Sequence, residues 1–130
     1  QAELPVAKPG KVLPERETSL LLLTDGKRVL LERLPPAGIW GGLLTLPEGG
    51  IAEARQFARR HGFRLLDMQP LPRLRHSFSH FHLNIQPLLC TVEARTCLVA
   101  EAGWQWLEHE EIERAALPTP IRRLLRGTLQ

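Results

Sequence analysis

The chain has 130 residues, 43% hydrophobic and 24% charged, which suits one compact domain with a real core and excludes a wholly disordered polypeptide. Seventeen Lys and Arg against fourteen Asp and Glu give a formal charge of +3 and a pI near 9.4, a balance compatible with nucleic acid that proves nothing alone. The longest leucine run, residues 20–23, is far below the roughly 20 residues a bilayer requires and lacks signal-peptide flanks, so an intracellular setting without a membrane is expected.

Residues 1–12 read as a linker and residues 13–130 as the domain, because Lys8-Pro9-Gly10-Lys11-Val12-Leu13-Pro14 has the composition of a tether. Residues 20–23 form a fully apolar strand, Asp25-Gly26 a hairpin turn and residues 29–33 the returning strand. A turn-rich loop follows, Pro35-Pro36-Ala37-Gly38-Ile39-Trp40-Gly41-Gly42, then a short strand at 43–46. Pro47-Glu48-Gly49-Gly50 breaks the chain before a helix over 52–61 that Gly62 stops, with Ala54, Phe57 and Ala58 inward and Arg55, Gln56, Arg59 and Arg60 outward. Beyond it lie a strand near Leu65, the segment 71–75, a ring-rich loop and a long strand over 81–93 with an irregularity at Pro87. Trp104-Gln105-Trp106-Leu107 alternates like one more strand, and 108–116 reads as a helix with acidic residues in its first turn. Thr119-Pro120 opens a last helix that buries Ile121, Leu124 and Leu125. Strands, a helix, strands and then helices make an α+β domain. Cys90 and Cys97 fit no C-x-x-C pattern and read as core thiols of a reducing compartment.

The richest stretch is His76-Ser77-Phe78-Ser79-His80-Phe81-His82-Leu83-Asn84-Ile85. Phe81, Leu83 and Ile85 alternate toward a core while His82, Asn84 and Gln86 face water. The residues before them carry hydroxyls, imidazoles and a phenyl ring without an apolar period, as a recognition loop on a rigid sheet does. Such a loop suits a planar, hydrogen-bonding ligand such as a nucleobase: Phe78 stacks or wedges, and each serine hydroxyl both donates and accepts.

Gly41-Gly42, Pro47-Glu48-Gly49-Gly50 and the helix ending in Gly62-Phe63 resemble a Nudix domain, whose signature helix reads R-E-U-x-E-E-x-G-U with U apolar. The resemblance implies a mixed sheet flanked by helices. Arg55, Phe57, Gly62 and Phe63 keep scaffold positions of that signature, but Gln56, Arg59 and Arg60 replace its three metal-binding carboxylates. Arginine is a permanent cation and repels the magnesium that such hydrolases hold with hard oxygen ligands. Hydrolysis by this chain alone is therefore not expected.

A narrower resemblance rests on Leu13-Pro14-Glu15-Arg16, on Pro35 through Leu43 followed by Leu46-Pro47, and above all on His76-Ser77-Phe78-Ser79-His80-Phe81-His82-Leu83. Together these blocks look like the C-terminal domain of the MutY family of adenine DNA glycosylases, from about Lys8 onward. In that family a separate N-terminal domain with an iron-sulfur cluster excises adenine mispaired with 8-oxoguanine, and the C-terminal domain reads the oxidised guanine. The resemblance implies a DNA-repair enzyme of which this chain is a non-catalytic part, without cofactor or metal of its own, bound to lesion-containing duplex and to its catalytic domain in a bacterial cytoplasm at the nucleoid.

It also assigns roles. Oxidation turns guanine N7 from an acceptor into a donor and adds a C8 carbonyl, so a reader must sense a reversed pattern. Ser79 matches the family position that contacts the lesion, its hydroxyl accepting from N7–H, and Phe78 presses into the stack beside it. His76 and His80 orient the loop or meet phosphate, with Ser77 and Arg75 as weaker candidates for DNA contact. Alternatives are a Nudix hydrolase of nucleoside diphosphate derivatives, a protein-docking module, and zinc on His76, His80 and His82, for which no Cys or carboxylate stands at ligand spacing. Trp40 reads as a loop-packing residue more than a base stacker, and the arginine face of the signature helix as solvated.

Overall fold

A computed structural model describes residues 12–94 and 103–128. The expected linker lies outside the described residues except for Val12, and Cys97 lies outside them too. Seven strands form one mixed sheet: β1 (Glu15–Thr24), β2 (Arg28–Arg33), β3 (Leu44–Thr45), β4 (Phe63–Pro70), β5 (Leu74–Ser77), β6 (His82–Ala94) and β7 (Trp104–Glu108). The main order is β3-β2-β1-β6-β4, with β5 also on β6 and β7 also on β2. Helix α1 (Ile51–His61) joins β3 to β4, and α2 (Thr119–Thr128) follows β7.

The leucine run at the end of β1 is explained by burial on both sides of the sheet. Leu20 and Leu22 enter one core with Phe81, Leu83, Ile85, Ile121 and Leu125, whereas Leu21 and Leu23 enter another with Ala54, Ala58, Phe63 and Val92. A strand covered on both faces needs an unbroken apolar sequence rather than alternation. β1 and β6 run parallel from Glu15↔His82 to Thr24↔Thr91, so the exposed start of β1 lies beside the start of β6. That pairing anchors the ring-rich loop.

Helix α1 begins where Glu53 accepts from the Gly50 amide at 2.7 Å, and it ends at Gly62, whose φ of 74° closes the last turn. Pro87 marks no break in β6. Its missing N–H falls where β6 changes neighbour, from β5 (Leu74↔Ile85) to β4 (Pro70↔Leu88), so no antiparallel ladder needs that donor. Gln86 bridges the gap, its Nε2 donating to Leu71 O at 2.8 Å and to Pro87 O at 2.9 Å. The irregularity instead sits across the ladder, between Leu65 and Asp67.

The helix expected over 108–116 is not formed. Only a 3-10 turn, His109–Glu111, appears, with the Glu108 amide donating to Glu111 at 2.8 Å. Ile112 and Leu117 must both enter the core, and five residues apart they do not share a helical face. The Ala116 carbonyl accepts from the Leu44 amide at 2.9 Å, and Arg122 of α2 donates to the carbonyls of Ile112 and Ala115, so tertiary partners replace helical ones. In α2, Ile121 and Leu125 are buried, and Leu124 packs against the same core partly exposed. Among the described residues no helix is long and apolar enough to cross a membrane.

Candidate nucleic-acid interface

Strands β5 and β6 form a hairpin, with His76↔Leu83 and Ser77↔His82 as its last pairs and the Phe78 amide donating to Phe81 O at 2.8 Å across the tip. The β1 start joins the tip: the His82 amide donates to Pro14 O at 2.9 Å. Phe81 is 2% exposed and roots the tip in the core. Phe78 lies half-buried on it with ring centroids 4.7 Å apart and stacked, and His76 meets the edge of Phe78 at 4.8 Å. Ser79 and His80 are exposed beyond this platform. Short hairpin, buried root and exposed end give a presented tip whose base is rigid.

Each imidazole in the segment has its own local partner. Ser79 Oγ lies 3.0 Å from His80 Nδ1, and Ser77 Oγ lies 2.8 Å from His82 Nδ1. His76 is engaged by rings, with Phe78 on one side and Trp40 at 6.2 Å on another. Ser79 and His80 thus combine one hydroxyl and one imidazole into a small unit able to donate and to accept at the outermost point. Arg75 is not a free cation: its Nη2 donates to Glu15 Oε2 at 3.2 Å. The Asn84 amide first, and Arg75 second, hold the Glu15 carboxyl below the usual range.

Two further residues complete the tip. Arg16, exposed on β1, lays its guanidinium 4.3 Å above the Phe81 ring, a cation–π contact. Trp40, from the loop between β2 and β3, stands 5.9 Å from Phe78. The sequence signal for Trp40 was its place among Gly38, Gly41 and Gly42, a run that otherwise reads as a plain turn.

Beside Trp40 and Phe81 a cleft of about 340 Å³ opens where β1 and β2 part, for they pair only at Thr24↔Val29. Glu32, Thr45 and Glu48 supply polar groups to its wall. Burial first, and the charge of Glu48 second, raise the Glu32 carboxyl above its ordinary value. The Thr45 hydroxyl is buried and has no hydrogen-bond partner among the described residues.

The signature helix presents different chemistry. Gln56, Arg59 and Arg60 are exposed on α1, where the Nudix signature places carboxylates. An amide and two guanidinium groups do not fit a hard divalent cation, and among the described residues no group of three His, Cys, Asp or Glu is arranged to hold a metal. Cys90 is buried and its thiol is pushed up to about 11 by burial, as an inert core thiol.

Comparison with known proteins places this geometry. Residues 18–127 match the family model described as the NUDIX domain. The adenine DNA glycosylase of Mus musculus is 29% identical over 113 aligned positions, covering 78% of this chain, and that of Homo sapiens is 27% identical over 135, covering 92%. The chain spans only 22% and 25% of the lengths of those two relatives. Among solved structures, the C-terminal domain of mouse MUTYH, in complex with human PCNA, has the same fold with a TM-score of 0.65 at 22% identity, covering 85% of this chain and 84% of that one. The match over nearly the whole sheet and both helices shows that this chain belongs to the NUDIX domain family.

Proposed function

We propose that this chain is the lesion-recognition domain of an adenine DNA glycosylase, and that it reads 8-oxoguanine opposite the adenine that a separate catalytic domain removes. The observation that carries the reading is the hairpin tip: an exposed Ser79–His80 pair set on a half-buried Phe78 that is itself stacked on the core residue Phe81. Ser79 accepts from the N7–H that oxidation creates, and a backbone amide of the tip donates to the C8 oxygen. The exposed edge of Phe78 abuts the neighbouring base, and His80 orients Ser79. Similarity to two adenine DNA glycosylases supports the reading, and so does the loss of the carboxylates that a Nudix hydrolase requires. The iron-sulfur cluster and the catalytic residues belong to the catalytic domain, and the site of action is the chromosome.

The test compares duplexes holding adenine opposite 8-oxoguanine or guanine, with this chain alone and joined to the catalytic domain. Alone, the chain binds duplex in the non-specific range, with dissociation constants of about 10⁻⁴ to 10⁻⁶ M at physiological salt. Joined, it raises the preference for the oxidised base, and Ser79→Ala lowers that preference modestly because backbone donors remain. Equal binding and excision of both duplexes would leave a docking module. Magnesium-dependent phosphate release from a nucleoside diphosphate derivative would instead make the chain a hydrolase and overturn the proposal.

A further inference from the structure

Trp40 is the one non-glycine residue with positive φ among the described residues, at 62°. A bulky side chain in the left-handed region carries backbone strain, which persists only where the surroundings impose it. The surroundings here are tight. Gly42 N donates to Pro35 O at 3.0 Å, Leu43 N to Trp40 O at 3.1 Å, Leu34 N to Leu43 O at 2.9 Å, and Arg33 Nη1 to Gly42 O at 2.9 Å. A Cβ on Gly41 would meet Ala37 N and Pro36 C at 2.9 Å each. If the turn alone mattered, glycine at position 40 would make it without strain, as Gly38 at 86° and Gly42 at 80° do. The indole ring must therefore contribute something the turn does not.

That ring is half-buried and faces the reading hairpin: its centroid lies 5.9 Å from Phe78 and 6.2 Å from His76, tilted by 51° and 52°. Phe78 is thus held between Phe81 beneath it, His76 at its edge and Trp40 at its flank. Each loop has its backbone fixed by its own hydrogen bonds, so the indole is a contact through which one sets the ring positions of the other.

We propose that Trp40 is a positioning residue for DNA reading: the strained loop between β2 and β3 and the β5–β6 hairpin make one two-part reading head, in which Trp40 fixes the orientation of Phe78 and His76. The proposal rests on the reading of the hairpin given above. It assigns Trp40 no contact with DNA, only with Phe78, which abuts the base beside the lesion, and with His76.

The separating variant is Trp40→Gly, which removes the ring and at the same time relieves the positive φ. Trp40→Phe keeps a ring and serves as the conservative rescue. Two readouts decide, one on this chain and one on the chain joined to the catalytic domain. In the NMR spectrum, ring-to-ring contacts from position 40 to Phe78 and His76 are expected in the unaltered chain and in Trp40→Phe. In Trp40→Gly the Phe78 and His76 ring signals are expected to move and broaden while the melting temperature falls no further than in Phe78→Ala, because relief of the positive φ offsets part of the lost packing of the indole on the core. In duplex binding by the chain joined to the catalytic domain, Trp40→Gly is expected to lower the preference for 8-oxoguanine over guanine by about 2- to 30-fold, with Trp40→Phe restoring most of it. The double variant Trp40→Gly/Phe78→Ala is expected to fall no further than Phe78→Ala, because both act through one ring.

Unmoved Phe78 and His76 signals in Trp40→Gly overturn the proposal, as does an unchanged preference in a chain whose Phe78→Ala variant loses it. A drop in melting temperature beyond that of Phe78→Ala that Trp40→Phe does not rescue makes the indole a packing residue and also overturns it. If the unaltered chain joined to the catalytic domain shows no preference for the oxidised base, the reading of the hairpin fails, while the ring signals still decide whether Trp40 sets Phe78.

Discussion

Two phenylalanines three positions apart are expected to separate folding from the proposed recognition, so that truncating each gives opposite profiles. Phe81 is 2% exposed among Leu20, Leu83 and Ile121, and it carries the Phe78 ring on one contact and the Arg16 guanidinium on another. Phe81→Ala removes a core ring and is expected to cost about 3–5 kcal/mol, which for a domain of this size lowers the melting temperature by roughly 10–20 °C. Phe78 is half-buried and loses one stacked pair and part of its burial, so Phe78→Ala is expected to cost about 1–2 kcal/mol and roughly 3–10 °C. On DNA the order reverses in meaning. Base–aromatic contact is worth about 1–3 kcal/mol, so Phe78→Ala is expected to weaken binding of the 8-oxoguanine duplex by roughly 5- to 150-fold while the chain remains folded. Thermal melting followed by circular dichroism and fluorescence anisotropy with a labelled duplex measure the two effects on the same preparations. A folded Phe78→Ala chain with unchanged affinity, or one as destabilised as Phe81→Ala, would refute the division of labour.

Three further outcomes follow from the cleft and the signature helix. Glu32 has its carboxyl raised by burial and by Glu48, so the fold binds that proton more tightly than the unfolded chain does. Stability from this group is present below the ordinary carboxylate range and is lost as pH rises through the raised value, so Glu32→Gln is expected to raise the melting temperature at about pH 7 and to confer no gain near pH 4. A constant gain across that range would disprove the assignment. Thr45 is 5% exposed and its hydroxyl lacks a partner among the described residues, so the nearly isosteric Thr45→Val is expected to stabilise by about 1–2 kcal/mol in a denaturant titration, and a loss would show that the hydroxyl is satisfied. Restoring carboxylates in the triple variant Gln56→Glu/Arg59→Glu/Arg60→Glu is expected to create magnesium affinity in calorimetry where the natural chain shows little, and equal heats in both would dissociate metal binding from these positions.

Much of this architecture was readable from local pattern. The alternation Phe81, Leu83, Ile85 against His82, Asn84, Gln86 places the first three in the core and the others toward solvent, because a period of two leaves no other choice for a half-buried strand. Helix α1 is bounded by its glycines and striped by Ala54, Phe57 and Ala58, so its ends and its inward face were both legible. The segment after β7 misled because its acidic first turn is a genuine local helix signal, and tertiary demand overrode it: Ile112 and Leu117 both had to be buried, and the Ala116 carbonyl had to meet β3. Pro87 misled for a related reason, since whether a missing donor breaks a ladder depends on where the neighbouring strands change over.

The candidate site was legible as a motif but not as an assembly. Ser79 and His80 stand exposed at the tip, but the support under them comes from the other two blocks, whose contact with the hairpin the sequence does not show: Arg16 on β1, Trp40 in a strained loop and the Pro14 carbonyl that receives the His82 amide. The parallel pairing of β1 with β6 is what brings the first of these to the tip, and parallel neighbours leave no turn signature in the sequence. The same sheet explains how one family scaffold accommodates two chemistries. Its two cores are built by Leu20 to Leu23, Phe81, Ile85, Val92 and the inner faces of α1 and α2, while Gln56, Arg59 and Arg60 on α1 and Ser79 and His80 at the tip stay exposed. Gln56, Arg59 and Arg60 therefore change what α1 offers to a ligand without disturbing Ala54 or Ala58, and the exposed Ser79 and His80 can vary without loosening Phe81. Recognition is free to change at the edges because stability is stored in the middle.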